Sequence, residues 1–504
     1  MRQISIDPIT RIEGHLKIDL DIDSGEVKSA RSSGTLFRGL EEVLSGRDPR
    51  DASRITQRVC GVCPAAHAVA STLALDDAFG IQDKIPANGR IIRNLILGGN
   101  FIQSDVLHFY HLSALDYLNP EDLKGLESHN SGVKDLQTYL ESTDGAPFTP
   151  EYSGDYRLGA EISEALAGDY LQALEIRKKA HQLIAIFGGK MPHNMGTVPG
   201  GTTNKPDIDS ITKFRSRLGE IKEFVNNRYL PGIVELAKGY NDYFGVGQGV
   251  SNFIEYGGFY LEGFTGSHKQ TSKGLEGGVI SDGSDSVKDY DLSQITEEVH
   301  HSWYKEEGQG HPSKAKTLPE ADKEDAYSWV KAPRYEGKPH EVGPTARMMI
   351  NYLKGNELVE RELGRAMDKV GIELDQLPSV MGRHLARAVE CKCVIELMED
   401  WVENLEPGKP SCAEYEMPES GRGVGLTAAP RGTLGHWIEV AEGQIKNYQL
   451  VVPTTWNASP RDEGGKPGPI EQSLLGTNIQ DPENPLEAAR VVRSFDPCMA
   501  CAVH

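Results

Sequence analysis

Two cysteine pairs at opposite ends of the chain constrain its fold more than any other feature. The first lies in Arg58-Val59-Cys60-Gly61-Val62-Cys63-Pro64, with His67 shortly after. The second lies in Asp496-Pro497-Cys498-Met499-Ala500-Cys501, with His504 beyond it. A C-x-x-C pair presents two thiolates to one metal, and two pairs make a four-thiolate site for a soft transition metal. Zinc ribbons and fingers keep their pairs roughly 12–20 residues apart. Here the site can exist only once both ends of a large fold meet. That points to a catalytic metal centre and away from a local staple. On the cysteines alone, structural zinc and an iron–sulfur cluster stay open.

The requirement that both pairs share one place favours a single folded unit over all 504 residues, with insertions. Formal net charge is −21 and no dense Lys/Arg block occurs, which argues against nucleic acid and anionic membranes as partners. No apolar run approaches the ~18 residues of a spanning helix. The start, Met1 to Asp7, alternates like a strand and lacks a signal-peptide core. By itself such a chain is expected in the cytoplasm, unless a partner carries it across a membrane. Of the seven cysteines, Cys391, Cys393 and Cys412 remain outside the pairs. Their spacing fits no disulfide framework, and they read as free, mostly buried thiols.

Periodicity predicts an α-dominant α+β fold. Leu16 to Ile22 and Glu26 to Ala30 read as strands around Asp23-Ser24-Gly25. Helical patterns run over 52–79, 90–118, 161–187, 208–243, 345–370 and 377–405, with Pro64 and Pro231 as interruptions. About five long helices should pack as a central bundle, with antiparallel sheets at the periphery. Residues 257–341 are rich in Gly, Ser, Asp and Lys and read as a peripheral insertion of strands and loops. Residues 407–425 read as loop, 438–452 as paired strands around Glu442-Gly443, and 461–485 as a tail wrapping the surface.

The motifs as a set resemble the large, catalytic subunit of nickel–iron hydrogenases. Beside the cysteine pairs these are Arg11-Ile12-Glu13-Gly14-His15, Phe37-Arg38-Gly39-Leu40-Glu41, His108-Phe109-Tyr110-His111-Leu112, Ala429-Pro430-Arg431-Gly432 and Trp456-Asn457-Ala458-Ser459-Pro460-Arg461-Asp462. The resemblance spans almost the whole chain; 257–341 is its least recognisable part. It implies that Cys60 and Cys498 are terminal ligands of nickel. Cys63 and Cys501 would bridge nickel to an iron carrying carbon monoxide and cyanide. Glu13 would relay protons from Cys498. Arg431, with Pro430 beside it, would meet one cyanide, and Thr454 the other. Asp496 and Asp105 would sit near Arg431, although Ser104 and Val106 flank Asp105 where many relatives have histidines. His67 would donate to a bridging sulfur. His15 and His111 would be structural.

The resemblance implies a second ion, magnesium or else iron or manganese, held by Glu41, the main-chain oxygen of Leu450, and His504. Relatives are made with an extension beyond this histidine that is later removed, so the chain looks like the processed form, or else a variant that needs no cutting. The expected reaction is reversible heterolytic cleavage of H2, with nickel taking the hydride and Cys498 or a nearby base such as Arg431 taking the first proton. No cysteine pattern for a chain of clusters remains, so electrons require a separate iron–sulfur small subunit, and beyond it a carrier such as a cytochrome. The details resemble the respiratory branch, periplasmic or membrane-associated through a signal-bearing partner. Within it they approach relatives with selenocysteine at the position of Cys498. A cytoplasmic cofactor-linked subunit and a sensory hydrogenase are the alternatives. The metal-free hydrogenase-like scaffold of respiratory complex I is disfavoured by the four cysteines.

Overall fold

A computed structural model describes residues 1–143, 145–146, 148–262 and 271–504. The centre is a bundle of helices Ala87–Val106, Ala160–Gly188, Ile208–Phe224, Leu230–Gly239 and Val380–Glu403, packed on one another. Ala87–Val106 is buried along almost its whole length. It lies close to its neighbours because Gly98 and Gly99 carry no side chain. A Cβ at Gly98 would fall 2.4 Å from Met398 Sδ, and one at Gly99 would fall 2.8 Å from Ile184.

The helical segments end where local chemistry ends them. The pattern over 90–118 is α-helix only to Val106, then a wider π turn over Leu107–Ser113 and a 3-10 turn to Asp116. The 208–243 segment passes through a π turn at Val225–Tyr229. Pro231 sits in the first turn of the next helix, where its missing N–H costs nothing. The helix expected over 345–370 is two, Pro344–Leu353 and Glu357–Val370. Gly355 takes φ +72° between them, and the Asn356 side chain accepts from Val359 N–H to cap the second.

Strands Arg2–Ile6, Leu16–Asp23 and Glu26–Gly34 form an antiparallel meander at one edge, as the alternation predicts. A second meander, Gly421–Ala429, Gly432–Ala441 and Gln444–Val451, lies against helix Pro64–Ala78. It corrects the reading of 407–425 as loop, whose last five residues begin its first strand. The tail reading is also corrected in part. Pro469–Leu474 is a buried helix, with Ile470 and Leu474 in the core.

Residues 257–341 are short paired strands and loops, and 263–270 lie outside the described residues. The inner edge of this segment reaches deep. Strand Ala332–Tyr335 is wholly buried, and Glu297, Thr317 and Lys331 turn inward towards Glu41. Among the described residues no helix is long and apolar enough to cross a membrane.

Candidate metal centre

The first pair sits on a turn between a 3-10 segment, Thr56–Val59, and helix Pro64–Ala78. Val62 and Cys63 N–H both donate to Cys60 Sγ at 3.2 Å. Asn100 pins the turn to the bundle by donating to Val62 O at 3.1 Å and accepting from Ala65 N–H at 3.0 Å. The second pair opens a short helix, Met499–Ala502. Its backbone bridges to Glu13: Met499 N–H donates to Glu13 O at 2.7 Å, and Glu13 N–H to Pro497 O at 3.3 Å. Gly14, at φ +84°, lets the two segments touch, since a Cβ there would fall 2.9 Å from that of Met499. Arg38 holds both cysteine loops, donating to Ala500 O at 2.9 Å and Arg58 O at 2.8 Å.

The four sulfurs converge in the buried interior, all within 4.8 Å of one another. Cys60 and Cys498 are 3.4 Å apart, Cys63 and Cys501 3.6 Å, and Cys498 and Cys501 3.0 Å. All seven cysteines are free, and Cys412 alone is exposed. Burial pushes the thiols of Cys498 and Cys501 well above their ordinary range. At Cys60 burial acts the same way, yet hydrogen bonds from the neighbouring thiols outweigh it and hold the group well below that range. So tight a cluster of buried, proton-sharing sulfurs is a poor resting state alone and a good donor set for soft metal ions, which keep thiolates deprotonated.

Arg431 stands over this cluster because Pro430 and Arg431 form the two-residue tip of the hairpin joining Ala429 to Gly432. Its guanidinium donates to Asp496 Oδ1 and Asp496 O, both at 2.9 Å, and to Ser104 Oγ at 3.2 Å. Burial disfavours its charge, but Asp496 and the thiols of Cys498, Cys63 and Cys60 hold it firmly protonated. Asp105 is not its direct partner. Ser104, not marked as a site residue by the sequence, takes that place. Asp105 is buried with Oδ2 unpaired, and burial followed by the charge of Glu390 pushes its carboxyl well up. Thr454 Oγ1 accepts from Cys498 N–H at 3.0 Å. Glu13 Oε2 lies 3.1 Å from Cys498 Sγ and accepts from Ala500 N–H at 3.0 Å. His67 Nε2 is 3.6 Å from Cys501 Sγ, and burial brings its pKa down to about 4. His111 bonds the Tyr170 carbonyl, and His15 is exposed.

A second buried cluster surrounds Glu41. Its Oε1 accepts from Leu450 N–H at 2.7 Å and lies 3.3 Å from His504 Nε2. Leu450 thus offers this carboxylate its N–H, where the sequence pointed to its carbonyl oxygen as an ion ligand. Lys331 Nζ is 3.0 Å from Glu41 Oε2 and 3.6 Å from Glu297, and the Thr317 hydroxyl also donates to Glu41. Burial opposes ionisation, but Lys331 and then His504 bring the Glu41 pKa down to about 2. Both oxygens of Glu297 and Nε2 of His504 are buried without a hydrogen bond. Carboxylate oxygens without a hydrogen bond, beside an ionised carboxylate, fit a hard cation. No sequence signal had marked Lys331, Glu297 or Thr317, which come from the insertion.

Fold and cluster together define a protein built around a soft-metal centre on four thiolates. Residues 38–504 match the nickel-dependent hydrogenase family, and residues 3–33 match a family described as HoxL-like. The periplasmic [NiFeSe] hydrogenase large subunit of Desulfomicrobium baculatum is 42% identical, over all of this chain and 95% of that one. The hydrogenase-2 large chain of Escherichia coli K12 is 35% identical, over all of this chain and 97% of its own length. The solved Ni-Fe-Se hydrogenase of Desulfovibrio vulgaris Hildenborough superposes with a TM-score of 0.87 at 41% identity, each chain covered fully. The chain belongs to the nickel-dependent hydrogenase family.

Proposed function

We infer that this chain is the catalytic large subunit of a hydrogenase that cleaves H2 reversibly into protons and electrons. The observation that carries the reading is the meeting of Cys60 and Cys498, 438 positions apart, beside a carboxylate and a guanidinium. Cys60, Cys63, Cys498 and Cys501 would hold nickel and iron. That pair, when bound, supplies the Lewis-acid and redox chemistry that no side chain offers.

The remaining work falls to the chain. Cys498 sulfur takes the first proton, and Glu13 Oε2, at 3.1 Å, takes it onward. Glu13 is half-buried, so it connects the dry interior to the surface. Arg431, oriented by Asp496 and Ser104, keeps N–H donors beyond those bonds, which would suit an anionic iron ligand such as cyanide. Thr454 accepts from Cys498 N–H and would meet the second such ligand. The carbon monoxide and cyanide set follows the family resemblance. Glu41, Glu297 and His504 would hold magnesium, or iron or manganese, as a structural ion linking the terminal segment to the insertion.

Electrons leave through an iron–sulfur small subunit. The surface over the thiolates fits such a partner: Gly14, His15, Arg38, Arg58 and Gly61 are exposed there, directly adjoining the buried cluster. A cytochrome-type carrier downstream and a periplasmic location, as in the name of the Desulfomicrobium relative, complete the reading.

Two measurements test it. Purified complex should contain about one nickel per large subunit, with iron beside it, and infrared bands of carbon monoxide and cyanide; stoichiometric zinc without such bands sinks the assignment. Glu13→Gln should keep the metal spectra and lower H2/D+ exchange by about 10²–10⁴-fold, the range of a positioned acid–base group. Exchange near the wild-type rate would move the proton path elsewhere.

A further inference from the structure

A line of buried polar groups runs from Cys501 away from the cluster. His67 Nε2 is 3.6 Å from Cys501 Sγ, and His67 Nδ1 is 3.2 Å from His436 Nε2. His436 Nδ1 is 2.8 Å from the Tyr448 hydroxyl, which is 3.0 Å from Ser71 Oγ. All five side chains are buried. The fold builds the line from two elements. His67 and Ser71 are one turn apart on helix Pro64–Ala78. His436 and Tyr448 are diagonal neighbours on strands Gly432–Ala441 and Gln444–Val451, where His436 pairs with Leu450 and Ile438 with Tyr448.

Each link needs one donor and one acceptor, so the line has a direction. Two directions satisfy every inner link. If protons point away from the sulfur, Cys501 must carry one to give to His67. At the far end Ser71 accepts from Tyr448, and its own proton has no second partner among the described residues. If protons point towards the sulfur, the Tyr448 hydroxyl turns its proton from Ser71 to His436 Nδ1, His436 Nε2–H donates to His67 Nδ1, and His67 Nε2–H to Cys501. The sulfur then stays a thiolate, as a metal ligand must.

We propose that His436 and Tyr448 are positioning residues that lock the tautomer of His67, keeping its Nε2–H aimed at the Cys501 sulfur. The proposal rests on reading the four thiolates as metal ligands. A locked donor withdraws electron density from the thiolate and so raises the reduction potential of whatever the sulfur binds. Coupling along the chain strengthens its last bond.

Neutron diffraction from deuterated crystals of the metal-loaded complex should show deuterium on Nε2 of both His67 and His436. Deuterium on Nδ1 of His67 overturns the proposal. Tyr448→Phe and His436→Leu should lower the midpoint potential of the metal centre at unchanged nickel content. His436→Gln keeps an amide donor towards His67 and a carbonyl towards Tyr448, and should hold the wild-type potential. If His436→Leu does not fold, Tyr448→Phe carries the same test. Wild-type potentials in fully nickel-loaded variants would refute the positioning role and leave the hydrogenase reading intact. Absence of nickel would refute the hydrogenase reading, and the neutron map would still decide the tautomer.

Discussion

Glu471 is fully buried and only half satisfied. Its Oε1 accepts from Ser32 N–H and the Tyr327 hydroxyl, both at 2.9 Å, while Oε2 has no hydrogen bond and Arg461 stays 3.9 Å away. Burial therefore dominates and brings the carboxyl up to about 7 from 4.5. The folded chain holds this proton more tightly than the unfolded one. Its stabilising contribution is complete below about 4.5 and is lost as pH rises through about 7. Each pKa unit is worth ~1.4 kcal/mol, so the window spans on the order of 3 kcal/mol. Glu471→Gln should flatten that part of the profile and raise the urea midpoint above neutral pH. Equal slopes in variant and wild type would place the pH response elsewhere. Glu471 carries no motif, and its protonation follows from what folds around it. Glu13, Arg431 and the four cysteines were legible because their motifs name them. Ser104, His436 and Lys331 were not, because each acquires its partner through a contact far along the chain, and a lone Ser, His or Lys has no local signature.

Three glycines explain how the second meander meets the helix of the first cysteine pair. A Cβ at Gly421, Gly423 or Gly425 would fall 2.3, 2.0 or 1.9 Å from the carbonyl oxygen of Ala78, Ala74 or Ala70. Two strand residues advance about 6.6 Å and four helix residues about 6 Å, so the two ladders keep step over this contact. The helix thus rests on bare backbone. Gly425→Ala should destabilise by about 3 kcal/mol or more, the upper end for overpacking, and should lower nickel occupancy by displacing Cys63 and His67. Gly219→Ala is the contrasting case. It lies within helix Ile208–Phe224 with nothing within 4 Å of an added Cβ, and should stabilise by about 0.5–1 kcal/mol. Thermal midpoints of the two variants check both signs. Long amphipathic helices and alternating strands were readable from period alone. The strand from Gly421 was not, since Gly-Arg-Gly-Val-Gly reads as loop until a helix fills the space the side chains leave.

At the scale of the molecule, the exposed residues around the cluster mark where electrons should leave. The small subunit should bury more than ~1,000 Å² on this face, the minimum for a specific contact. Hydrogen exchange at residues 14–15, 36–38, 58–62 and 195 should slow on complex formation; Leu36 and Met195 are large apolar side chains that are 49% and 46% exposed there. Unchanged exchange over these residues would put the partner elsewhere. The meeting of the chain's two ends also sets a schedule. During synthesis Cys60 leaves the ribosome 438 positions ahead of Cys498. At ~5–20 residues per second that is a wait of roughly 20–90 s. Through that interval Cys60 and Cys63 are a nucleophilic pair without their partners, open to oxidants and to any soft ion that two thiolates can catch. The correct metals have a four-sulfur home only after Cys498 and Cys501 arrive, so timing as well as affinity decides what this chain carries.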